Sequence, residues 1–104
     1  MANMMKMMKQ AQAMQAKMQK VQAELAEREV EFSSGGGMVT ARATCDGTFK
    51  AIKIDPKVVD ADDVEMLEDL VFTAVSGALK LGQETMSSEM GEITKGMNIP
   101  GMGM

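Results

Sequence analysis

The sequence predicts an α+β protomer of order α-β-β-β-α: a long N-terminal helix, a three-stranded antiparallel meander and a C-terminal helix. Three observations carry that prediction. Apolar residues recur at heptad spacing from Met4 to Leu25, short β-forming segments alternate with turn signals up to residue 54, and a second apolar series at helical spacing starts at Val64.

The first helix is the clearest element. Met4, Met7, Ala11, Met14, Met18, Val21 and Leu25 are separated alternately by three and four residues, which places them on one stripe of a helix. Between them stand Gln, Lys, Ala and Glu, all good helix formers, with no Gly or Pro. A helix over residues 3–28 would be close to about 40 Å long, against a radius of gyration of about 13 Å for a globule of this size. Such a helix overhangs its own domain, so the stripe Met4, Met7, Met14, Met18, Val21 and Leu25 is expected to be the seam of a homodimer.

Val30 and Phe32 alternate with polar neighbours in a first strand, and Ser33-Ser34-Gly35-Gly36-Gly37 punctuates it as a flexible loop. Residues 38–45 give a second strand with Val39, Ala41, Ala43 and Cys45 on one side. Asp46-Gly47 predicts a two-residue hairpin turn. In the third strand, 48–54, Phe49 and Ala51 have the opposite parity to Ile52 and Ile54, which calls for a bulge or for two partly covered faces. Pro56 ends the sheet, and Asp60 or Asp62 is the expected cap of the second helix. Val64, Leu67, Val71, Ala74, Ala78 and Leu81 form its core stripe, and Gly77, Gly82 and Gly91 are expected to weaken its second half. Residues 98–104 lack any pattern and read as a flexible Met/Gly tail behind a single domain of 1–97.

Composition excludes several function classes. With no His and one Cys, His-dependent acid–base catalysis, Ser–His and Cys–His nucleophiles and His/Cys zinc sites are ruled out. Cys45 alone forms no disulfide framework, and a lone thiol fits a reducing cytoplasm. No apolar run approaches the about 18 residues of a membrane span, and the N-terminus lacks a signal-peptide core. The net charge of −4 conceals a polarity: the first 23 residues carry four Lys and no acid, whereas the region after residue 57 is strongly acidic.

Four features remain as candidates for chemistry. Met4, Met5, Met7 and Met8 suit a thioether copper(I) site or an adaptable partner surface, but seam packing already accounts for Met4 and Met7. Gly35-Gly36-Gly37 lacks the Lys and Ser/Thr of a phosphate loop and reads as a hairpin loop. The acidic run from Asp60 to Asp69 sits where a helix start wants acids and lacks the glycine of a calcium loop. Lys6, Lys9, Lys17 and Lys20 fall within about 80° of one another on the helix, opposite Met4. That ridge is either a solubilising face or a phosphate-tracking surface that contacts a DNA duplex without reading bases. No catalytic constellation, metal site or cofactor is expected. Two functions are compatible with this reading: a DNA-binding homodimer, or a protein-interaction adaptor whose Met-rich helix binds a partner helix without DNA.

The segments MMKQAQAMQAKMQKVQAEL (7–25), IDPKVVDADDVEMLEDLVFTAV (54–75) and MGEITKGMNIPGMGM (90–104) resemble the YbaB/EbfC family of bacterial nucleoid-associated proteins, collinearly over nearly the whole chain. The resemblance implies a homodimer whose long helices project like the arms of tweezers. It implies a cytoplasmic, nucleoid-linked protein that binds DNA, changes its conformation and influences transcription, with no enzymatic activity, small-molecule substrate or membrane association. Family use of the terminal helices on DNA maps onto Lys6, Lys9, Lys17 and Lys20, with Arg28, Lys80 and Lys95 at the rim. The segment Ser76 to Leu81 departs from members with a more basic second helix, which weakens the case for that helix as a DNA surface.

Overall fold

The computed structural model describes residues 2–97. The tail expected at 98–104 lies outside the described residues. The order is α1 (Ala2–Glu27), β1 (Glu29–Ser34), β2 (Val39–Thr44), β3 (Phe49–Ile54) and α2 (Val64–Met97), the α-β-β-β-α arrangement that the sequence predicts. The sheet is an antiparallel meander in the order β1-β2-β3.

The core lies between the sheet and α2. Val39, Ala41 and Ala43 line one face of β2 and are fully buried with Ala74 and Ala78 of α2. Alanines on both sides let helix and sheet approach closely. Gly77 and Gly82 belong to the same contact. A Cβ on Gly77 would overlap the Phe32 ring, and one on Gly82 would stand 2.8 Å from the Thr44 carbonyl oxygen. Two of the three glycines expected to weaken α2 are therefore points where it touches the sheet, and the helix runs unbroken past Gly77, Gly82 and Gly91 alike. Burial in a close contact outweighs the conformational cost of glycine.

Three local expectations are corrected. Asp63, rather than Asp60 or Asp62, caps α2 by accepting the Met66 N–H at 3.3 Å, while Asp60 accepts the Asp62 N–H at 2.9 Å in the preceding turn. The hairpin between β2 and β3 has a three-residue loop. Gly47 N–H bonds to Thr44 C=O at 3.1 Å, Thr44 N–H bonds to Thr48 C=O at 2.8 Å, and Gly47 takes a φ of 93°. The triglycine is a short helical turn with φ of 59°, 67° and 95°, closed by Met38 N–H on Gly35 C=O. It is tied down on one side, because the adjoining Ser34 hydroxyl donates to the Leu70 carbonyl of α2 at 2.6 Å.

The parity conflict in β3 resolves as a bulge. Ala51 pairs with Arg42 and Phe49 with Ala43, so Lys50 is the extra residue and Phe49 returns to the face of Ile52 and Ile54. That face is only partly covered, because α2 lies across β1 and β2 and barely reaches β3.

The molecule is elongated, at 74 × 27 × 16 Å with a radius of gyration of 20.1 Å. A compact chain of this length would have about 13 Å. The excess comes from the two long helices, of 26 and 34 residues, and the N-terminal part of α1, exposed throughout residues 3–13, projects beyond the body.

Candidate nucleic-acid interface

The arm is anchored at one end. Leu25 is 2% exposed, and Cys45 N–H donates to the carbonyls of Leu25 and Arg28 at 3.2 and 3.0 Å. Arg28 pairs with Glu89 of α2 at 3.2 Å, which brings the C-terminal half of α2 against the base of α1. Along the predicted seam, exposure then rises steadily. Val21, Met18 and Met14 are half-buried, Met7 is 67% exposed and Met4 70%. Leu25 is thus covered by its own chain, and the outer seam lies open.

Lys6, Lys9, Lys17 and Lys20 are all exposed on the side of α1 opposite Met4. The ion pairs among the described residues are Arg28–Glu89 and Arg42–Glu29, the latter at 3.7 Å, and neither involves these lysines. Four ammonium groups along almost four turns, none of them in an ion pair among the described residues and with Glu24 one turn beyond Lys20, form a surface that attracts a polyanion. Arg28, placed at the rim by the resemblance, is committed to Glu89. Lys80 is exposed on α2, and Lys95 is exposed near its end.

The remaining candidates have structural roles. Asp63 caps a helix, and no group of three His, Cys, Asp or Glu residues among those described could hold a metal ion. Cys45 is a buried free thiol. Hydrogen bonds from Thr44 and then Thr48 hold the Asp46 carboxylate below its ordinary value of 3.8, in the service of the hairpin.

Sequence reasoning missed one feature. Phe72 is 72% exposed on the outer side of α2, while Phe49 and Ile52 stand 44% and 37% exposed on the open face of β3. The signal was present, since Phe72 falls on the side of the helix opposite Ala74 and Ala78.

The YbaB/EbfC DNA-binding family matches residues 1–97. This chain belongs to that family. Similar relatives include a nucleoid-associated protein of Alkaliphilus metalliredigens, 51% identical over 96% of this chain and 88% of the relative. Another, from Caldanaerobacter subterraneus, is 52% identical over 96% and 90% of the two chains. Among solved structures, an uncharacterized protein from Helicobacter pylori superposes with a TM-score of 0.69 at 18% identity, covering 81% of this chain and 88% of that one. The fold is shared with that protein.

Proposed function

We propose that the protein is a cytoplasmic, nucleoid-associated factor that binds duplex DNA as a homodimer, mainly through backbone phosphates, and thereby alters DNA conformation, nucleoid organisation and gene expression. The observation that carries this reading is the row Lys6, Lys9, Lys17 and Lys20, exposed on a projecting arm and without acidic partners among the described residues. Membership in a DNA-binding family, and relatives named as nucleoid-associated proteins, support it.

Dimerisation follows from the apolar surface that one protomer leaves uncovered. Met4, Met7, Met14, Met18 and Val21 offer the arm seam, and Phe72, Phe49 and Ile52 offer further area. Arms packed along their seams turn the two lysine ridges outward, and each ridge holds the phosphates of a duplex laid along it by charge. The protein needs no cofactor, metal or small-molecule substrate for this, performs no catalysis and does not engage membranes.

Binding of a labelled duplex across a salt series, with subunit stoichiometry measured by sedimentation, tests the proposal. Eight phosphate contacts per dimer would give a log–log slope of about −7, and the expected partial engagement gives about −3 to −5. Replacing all four lysines by Glu should abolish binding while the dimer stays folded. Unchanged affinity in that variant removes the ridge from the mechanism, and a wild-type mass of one subunit removes the dimer.

A further inference from the structure

All six charged residues of α1, the four lysines with Glu24 and Glu27, fall in one sector of about 80° on the helix. Beside that sector runs a stripe with no charge at all. Met5, Met8, Gln12, Gln15, Gln19 and Gln22 repeat at separations of three and four, one residue after each seam position, and lie within about 100° of one another. Every one of them is exposed, Met5 at 67% and Met8 at 60%. The stripe is about 26 Å long, the rise of seven to eight base pairs.

We infer that this stripe reads base edges in the DNA major groove and gives the protein a preference for A·T-bearing sequences, an inference that rests on the DNA-binding reading. Its place on the helix supports this. When the lysine sector faces the phosphates of one groove wall, the adjoining sector turns toward the groove floor, and a helix about 10–12 Å across fits a groove about 12 Å wide. A face serving solubility alone has no need to exclude charge, whereas a face that reads A·T pairs has no use for ammonium groups, which favour guanine O6 and N7, or for carboxylates, which accept from cytosine N4. The side chains suit the task. A glutamine amide donates to adenine N7 and accepts from its N6 amino group, and a methionine thioether packs against the thymine methyl. Lysines then set affinity, and the amide stripe sets preference.

The test uses the full-length protein and two duplexes of 20 base pairs, one A·T-rich and one G·C-rich, titrated by fluorescence anisotropy at two salt concentrations. Wild type should prefer the A·T-rich duplex by about tenfold or more, the discrimination expected of one or two good amide–adenine pairs. The triple variant Gln12→Ala, Gln15→Ala and Gln19→Ala keeps good helix formers and should show unchanged helicity by circular dichroism. Its preference should fall to within about twofold, with the salt slope unaltered, because no phosphate contact is lost. A wild-type preference already within twofold, or one retained in the triple variant, overturns the stripe while leaving the phosphate ridge standing. Absence of salt-sensitive binding to either duplex overturns the DNA-binding reading itself, and the stripe with it.

Discussion

The body and the arm of this protein use the same apolar spacing to different ends. In α2 the stripe through Ala74 and Ala78 is consumed by its own sheet. In α1 the stripe begins buried at Leu25 and ends at Met4 with 70% of the residue exposed. Periodicity announces that a helix has an apolar face. It does not say whose surface covers that face, and the difference separates residues that stabilise the protomer from residues available to partners.

Paired substitutions along α1 probe this contrast at its widest. Leu25→Ala should destabilise the protomer by about 2–5 kcal/mol in urea unfolding. Met7→Ala, on the same stripe, should move protomer stability by about 0.5 kcal/mol or less while weakening self-association measured by sedimentation. Equal losses of stability at the two sites would mean that the arm packs on its own body.

The glycines of α2 repeat the comparison within one helix. Gly82→Ala places a methyl against the Thr44 carbonyl and should cost about 1–3 kcal/mol, despite the better helix propensity of alanine. Gly91 has nothing within 4 Å of a built Cβ, so Gly91→Ala should stabilise by about 0.5–1 kcal/mol. Thermal unfolding of both variants decides whether contact or propensity governs each site.

On the ridge, Lys17→Ala should lower affinity for every duplex alike and reduce the salt slope by about 0.9 for each engaged copy, with the melting temperature unmoved. The smallest effect is expected at Asp46. Its folded carboxyl titrates below the unfolded value of about 3.9, so its contribution to stability is present above that pH and is lost as pH falls through the folded value. Asp46→Asn should therefore make the stability curve shallower on its acid side and leave its slope near neutrality unchanged.

Most of the architecture was legible because it rests on period and punctuation. The heptad of α1, the alternation of Val39, Ala41 and Ala43, and the acidic helix start each declare themselves locally. What was not legible depends on distance through space. Gly77 and Gly82 look like breakers until Phe32 and Thr44 are seen against them. The bulge at Lys50 follows from pairing with Arg42 and Ala43, which the order of residues alone does not specify. At the candidate interface, the azimuth of the lysines came directly from helical geometry, whereas the half-burial of Met14 and Met18 required knowing where α2 ends.

The double hydrogen bond from the Cys45 amide to Leu25 and Arg28 fastens the root of the first helix to a hairpin. From that root the helix reaches about 36 Å to its tip. By leverage, a tilt of only about 5° at the root carries the far tip through about 3 Å, close to one base-pair step. A small adjustment at that joint would thereby shift the lysine row by a full step along any polyanion it follows.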